Sequence, residues 1–260
     1  MVAGQAGPLH GQRVVVTGGT SGIGRAVVLA AGAAGAGVAF CGHSTEGADD
    51  LLGQLSRWGR QAYFQAFDIA DEAALGAFAQ GAEQALGGID ALVNSAGTNF
   101  FRGVLEAKRA DIARCLDVDF YPAWALSNLL FPALKASGGI VLNVASVHAQ
   151  RTQPGSFPYN AAKAALVALT QAQALDWGPD GVRAVAIAPG LIDTPLAGAW
   201  FQEQPDPQGE RARQANHHPV GRIGRPEDVA GLIVSLISGP GGFLTGTTIT
   251  IDGGVGARLG

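Results

Sequence analysis

Cysteine is scarce in this chain: Cys41 and Cys115 are too far apart for a C-x-x-C redox pair or a metal-ligand set. No metal site is therefore expected, and the sparse thiols fit a reduced, cytoplasmic setting. Cys41 lies in an apolar run and reads as a small buried hydrophobe. Charge is also in short supply, with 15% charged residues and a net charge of −4, which leaves no basic footprint for nucleic acid. No apolar run reaches the ~20 residues of a membrane-spanning helix. Residues 1–11 are glycine-rich without a long apolar segment, so they are expected to form a flexible arm, not a signal peptide. No repeat of 20–50 residues is evident.

Glycine (39 residues) and apolar side chains (47%) are plentiful in the 260 residues, enough for one domain over 12–260 with a sizeable core. Strand-like runs fall at 13–17, 38–42, 61–66, 89–93, 139–145, 182–187 and 248–251. Helix-like stretches lie between them, near 22–35, 46–58, 71–86, 106–136, 156–177 and 226–238. This alternation implies right-handed crossovers and a parallel sheet covered on both faces, an α/β fold. The Gly/Ala-rich stretch from Ala30 to Gly37 suits close packing of the first helix on the sheet. Residues 191–220 have poor periodicity and four prolines, and read as an active-site lid or a surface excursion.

Tyr159 and Lys163 stand four apart in a helical stretch, on one face and one turn from each other. A phenol titrates near ~10, too high for ready proton transfer at neutral pH, and a neighbouring ammonium lowers that value. Ser146, thirteen positions upstream, ends the apolar run Ile140 to Ala145. Its hydroxyl thus belongs at the carboxyl end of a strand, where open α/β sheets bind ligands. The three side chains make a proton-transfer site for a carbonyl or an alcohol.

Arg13 to Thr17 is a β-branched run followed by Gly18-Gly19-Thr20-Ser21-Gly22-Ile23-Gly24 and then a helical stretch. A strand, a glycine-rich turn and a helix start together offer backbone N–H groups and a helix dipole to a pyrophosphate. The spacing Gly18-x-x-x-Gly22-x-Gly24 differs from the commoner G-x-G-x-x-G.

These landmarks resemble the short-chain dehydrogenase/reductase family over essentially the whole chain. Thr17-Gly18-x-x-x-Gly22-x-Gly24, Asp68, Asn94-Ser95-Ala96-Gly97, Ser146, Tyr159 with Lys163, Pro189-Gly190 with Thr194, Arg225 to Ala230 and Asp252-Gly253-Gly254 occur in the family's order. The resemblance implies a Rossmann-type, doubly wound, seven-stranded parallel sheet in a single domain. It implies an NAD(P)-dependent enzyme acting on CH–OH groups, with Tyr159 as acid/base and Ser146 on the substrate oxygen. Lys163 would hold the ribose hydroxyls. Gly18, Thr20, Ser21, Gly22, Ile23 and Gly24 would line the pyrophosphate, and His43, Ser44, Asp68 and Ile69 the adenosine. Asn94, Ala96 and Gly97 would follow the fourth strand towards the cofactor, with Asn94 also readable as a strand-end bracket. Pro189, Gly190, Ile192 and Thr194 would pass the nicotinamide carboxamide. A homotetramer is implied as well.

Two departures stand out. Where the family usually has an Asn, this chain has Asp119 in Val118-Asp119-Phe120. It can keep the proton relay near Lys163 with an altered pH profile, or be a substituted helix residue of little consequence. At the end of the second strand Gly42-His43-Ser44 supplies no acid to exclude NADP and no Arg or Lys to require it. Use of both cofactors follows, with NADP favoured over NAD, or His43 is an ordinary surface histidine. Ser146-Val147-His148 resembles bacterial sugar 1-dehydrogenases of the family, in which His148 would meet a substrate hydroxyl. The alternative small-molecule substrate is a 3-oxoacyl thioester, as for acyl-carrier-protein reductases. A non-catalytic cofactor-binding regulator is the remote third reading. His217-His218 reads as exposed surface.

Overall fold

The computed structural model describes residues 7–239 and 241–258. Strands β1 (Arg13–Val16), β2 (Gly37–Gly42), β3 (Ala62–Ala66), β4 (Ala91–Asn94), β5 (Ile140–Val144), β6 (Arg183–Pro189) and β7 (Thr247–Ile251) form one sheet. Their order is β3-β2-β1-β4-β5-β6-β7, and every neighbouring pair is parallel. The order reverses between β1 and β4, which opens a crevice at the carboxyl ends of those strands.

Side chains on β1 alternate between two cores. Val14 and Val16 pack with α1 (Gly22–Ala33), α2 (Ala48–Arg57) and α9 (Pro226–Ile237). Val15 packs on the opposite face with α3 (Glu72–Leu86), α5 (Tyr121–Ser137) and α6 (Tyr159–Trp177). Burial on both faces is why β1, β2, β4 and β5 read as apolar runs. Cys41 and Cys115 are both buried free thiols. The small residues of α1 do permit close packing, although at Gly32 the near neighbour is Leu55 of α2, not the sheet.

Three local features differ from the sequence expectation. Of the expected arm, residues 1–6 lie outside the described residues, while Leu9 is fully buried and its N–H donates to the Ala34 carbonyl at 2.9 Å. A single Leu among Gly7, Pro8, His10 and Gly11 has no periodicity to reveal this anchoring. Leu9→Ala is expected to cost about 2–5 kcal/mol, read by urea denaturation.

The helix expected over 106–136 is two helices, α4 (Arg109–Asp119) and α5. Phe120 between them has φ −132° and ψ −60°. Pro122 has no N–H to continue the ladder, so the helix restarts there and Asp119 becomes the last residue of α4.

Residues 191–220 contain α7 (Pro195–Gln202) and α8 (Pro207–His217). Two of the four prolines, Pro195 and Pro207, are helix starts. Thr194 accepts from the Ala197 N–H at 3.2 Å, and Asp206 accepts from the Gly209 N–H at 3.0 Å, so each proline follows its N-cap.

Candidate active site

Ser146 follows β5, and Tyr159 opens α6 directly after Pro158, with Lys163 one turn on. All three line one cavity of about 920 Å³. The Lys163 Nζ lies 5.5 Å from the Tyr159 ring centroid and donates to the Val144 carbonyl at 3.3 Å. Ser146 Oγ accepts from the His148 N–H at 3.2 Å, which fixes the hydroxyl beside the phenol. Burial pushes the Tyr159 pKa above that of a free phenol. The Lys163 ammonium opposes this, the Asp119 carboxylate adds to it, and the Ser146 hydroxyl lowers it.

Asp119 is buried, and its Oδ1 accepts from the Thr98 N–H at 2.7 Å. A Cβ added to Gly97 would stand 3.0 Å from both that oxygen and Lys163 Nζ. Glycine at position 97 therefore lets the carboxylate and the ammonium share one small space. Burial raises the Asp119 pKa, and Lys163 opposes the rise. The Cys115 thiol, 4.0 Å from Oδ2, is pushed up to about 12 by its own burial and by the nearby carboxylate.

The glycine-rich turn has the shape of a cradle for a dinucleotide pyrophosphate. Gly18 (φ +65°) and Gly22 (φ +51°) hold left-handed conformations that other residues rarely adopt. Thr17 Oγ1 braces the turn by accepting from the Ser95 and Ala96 N–H groups, each at 3.0 Å. The N-cap Ser21 makes no side-chain cap bond, and the first turn of α1 holds no acidic residue. Its N–H donors and dipole thus face outward for an anion. A Cβ at Gly22 would meet Thr194 Cγ2 at 3.1 Å, which places the cradle against the start of α7. Ile23, Gly97, Pro189, Gly190, Ile192 and Thr194 line the cavity.

At the adenosine end, His43 and Ser44 are exposed beyond β2, and Gly42 leaves the room that Thr20 occupies. Asp68 accepts from the Ala70 N–H at 3.1 Å and from Arg114 of α4 at 3.0 Å. The Ala70 bond is the main reason its pKa falls, aided by Arg114 and His43. Arg114 was not singled out from the sequence, because only the fold brings α4 to the Asp68 turn. Ile69 packs on the core containing Val15.

Asn94 makes the strand-end bracket, one of its two sequence readings. Its Nδ2 donates to Asn143 Oδ1 at 2.8 Å and to Ser127 Oγ at 3.2 Å, and Asn143 donates onward to Thr170 and Gln173. The side chain ties β4, β5, α5 and α6 together inside the protein.

His148 sits edge-on to Tyr159 (centroids 5.9 Å apart), its Nδ1 is 3.1 Å from Thr152 Oγ1, and burial lowers its pKa. Sequence reading missed Phe101, whose ring meets Tyr159 edge-on at 5.3 Å. Leu196 and Trp200 also line the cavity. His218 is not exposed surface: it is buried, and its Nδ1–H donates to the Gln214 carbonyl at 2.7 Å.

A family model described as enoyl-(acyl carrier protein) reductase matches residues 18–256. The chain belongs to the short-chain dehydrogenases/reductases. This dehydrogenase/reductase is 34% identical over 247 residues to meso-2,3-butanediol dehydrogenase of Serratia marcescens, covering 95% of each chain. It is likewise 34% identical to cis-4-hydroxycyclohexanecarboxylate dehydrogenase of Sinomonas cyclohexanicum, over 95% of this chain and 98% of that one. A solved 7α-hydroxysteroid dehydrogenase, complexed with NADH and 7-oxo glycochenodeoxycholic acid, superposes with a TM-score of 0.87 at 29% identity. That match covers 95% of this chain and 94% of the other. As a family member the protein is an NAD(P)-dependent oxidoreductase of alcohol and carbonyl groups. Among the described residues no helix is long and apolar enough to cross a membrane.

Proposed function

We propose that the protein interconverts a secondary alcohol and its ketone, with Tyr159 passing a proton to or from the substrate oxygen. The observation that carries this reading is the convergence of Ser146, Tyr159 and Lys163 on the wall of a single cavity. Ser146 donates a hydrogen bond to the oxygen and fixes its distance from the phenol. Lys163 holds the ribose hydroxyls and opposes the burial that keeps the phenol protonated. The nicotinamide, when bound, supplies or accepts the hydride. The turn Gly18 to Gly24 seats the pyrophosphate, and Pro189, Gly190, Ile192 and Thr194 hold the carboxamide end. His43 and Ser44 take the adenosine ribose in either form. NADP is the favoured partner because no carboxylate ends β2 to repel a 2′-phosphate. Asp119 acts through Lys163 and Tyr159 as a positioning charge.

Removing that charge removes an influence that raises the Tyr159 pKa. Alcohol oxidation needs the phenolate, so its rate climbs as pH rises through that pKa. Asp119→Asn is therefore expected to move the rise of kcat/KM for oxidation to lower pH. A profile that stays in place would remove Asp119 from the relay.

Phe101, Leu196 and Trp200 favour a substrate with an apolar frame around its carbinol. An aldose is the second reading, supported by His148, Asn99 and Gln150 in the same lining. The helices α7 and α8 act as the substrate lid. We assign the protein to the cytoplasm and to a homotetramer, whose contacts would cover Tyr121, Trp124 and Leu129, each about half exposed on α5. The test is nicotinamide absorbance with NAD and NADP across cyclic secondary alcohols, aldoses and 3-oxoacyl thioesters. Turnover of the cyclic alcohols supports the reading, aldose turnover alone moves it to a sugar dehydrogenase, and thioester turnover alone moves it to an acyl reductase.

A further inference from the structure

We propose that the cavity mouth holds a carboxylate of the substrate, so that the preferred substrates are hydroxy and oxo acids with the acid group away from the reacting carbon. This rests on the reading of the cavity as the substrate site of a dehydrogenase/reductase.

The cavity runs against the charge of the protein. The chain is net negative, yet the lining carries Arg151 and Arg258 in addition to Lys163. Among the described lining residues the single carboxylate is Asp252. Its oxygens are turned to backbone, accepting from the Gly254 N–H at 2.9 Å and the Gly256 N–H at 2.7 Å. Arg13, Arg25, Arg114, Arg211 and Arg222 each pair with an aspartate. Among the described residues neither Arg151 nor Arg258 has such a partner.

The two cations come from segments 107 positions apart in the sequence. Arg151 stands on the loop that leaves Ser146, five residues on, so one loop carries the reacting hydroxyl and a cation. Arg258 follows the single-turn 3₁₀ helix Val255–Ala257 beyond β7. The point a Gly256 Cβ would occupy lies 3.6 Å from Arg151 Nη1 and 2.7 Å from Asp252 Oδ2, so the two segments meet with the backbone-bound Asp252 carboxylate between them. A planar guanidinium presents paired N–H donors that match a carboxylate, and two of them beside an apolar lining suit an amphiphilic acid. Phe101, Leu196 and Trp200 supply that lining. A cationic mouth on a net-negative protein also concentrates anions at the cavity.

The probes are 4-acetylbenzoate and the neutral, near-isosteric 4-acetylbenzamide. Each is titrated calorimetrically into the protein loaded with NADPH and then assayed for reduction. The wild type is expected to prefer the carboxylate by at least about tenfold in Kd and in kcat/KM. The preference should shrink at high ionic strength. In Arg151→Gln combined with Arg258→Gln the carboxylate-to-amide ratio is expected to fall to about one. Each single variant should give an intermediate ratio. An equal affinity for both probes in the wild type, or a ratio that survives the double substitution, overturns the proposal. Binding needs no turnover: a protein that prefers the carboxylate but reduces neither probe contradicts the dehydrogenase reading alone. A protein that reduces both probes equally contradicts the carboxylate site alone.

Discussion

Tyr159→Phe is expected to lower kcat/KM by about 10²–10⁴-fold for every substrate the protein turns over, the usual contribution of a positioned proton donor. The substitution removes one oxygen and keeps the ring, so the edge-on packing on Phe101 and His148 remains. Thermal stability and NADPH affinity should change far less than turnover, because the glycine-rich cradle and Lys163 stay in place. That split between turnover and binding distinguishes loss of a proton carrier from loss of structure. In the unliganded protein burial raises the phenol pKa, so at neutral pH the O–H is present and ready to protonate a carbonyl. Reduction by the wild type should therefore fall as pH rises through the Tyr159 pKa, and oxidation should climb. Retention of most of the activity in Tyr159→Phe would assign the proton to another group.

The second large effect is expected at Gly24. An added Cβ there would collide with the carbonyl oxygen of Gly18, and its carbonyl carbon would lie only 2.7 Å away. Both atoms are backbone of the turn proposed to seat the pyrophosphate, so no flexible side chain can yield. Gly24→Ala should weaken NADPH binding by at least about tenfold and destabilise the fold by about 1–3 kcal/mol. Gly53, inside α2, is the contrast: nothing lies within 4 Å of an added Cβ. Gly53→Ala should instead stabilise by about 0.5–1 kcal/mol through helix propensity. Calorimetric cofactor titration and urea denaturation read both variants.

The parts of the fold legible in the sequence are those governed by short-range rules. Strands buried on both faces must be continuous apolar runs, which is why β1, β2 and β5 fall almost where the runs do. Tyr159 and Lys163 were legible because four residues in a helix make one face. Long-range geometry hid the rest. Asn94 reads equally as a ligand-binding amide or a bracket until β4 and β5 lie side by side and Asn143 meets it. The pairing of Arg114 with Asp68 joins α4 to the turn after β3, across 46 positions of sequence. His218 becomes buried only when the end of α8 turns its ring towards the Gln214 carbonyl. The starts of α7 and α8 were in fact written locally, as Thr194-Pro195 and Asp206-Pro207. There the prolines mark a first helical position and not a break.

The most direct test of the central claim follows the hydride itself. A ketone that the protein reduces is incubated with NADPH or NADH carrying deuterium at the transferable C4 position, and the product alcohol is analysed by mass spectrometry and NMR. The expected result is one deuterium at the carbinol carbon for the wild type, at a rate that collapses in Tyr159→Phe while cofactor still binds. Binding of both cofactors with no deuterium transferred to any alcohol, ketone, aldose or thioester would contradict the assignment and leave a cofactor-binding protein without this chemistry.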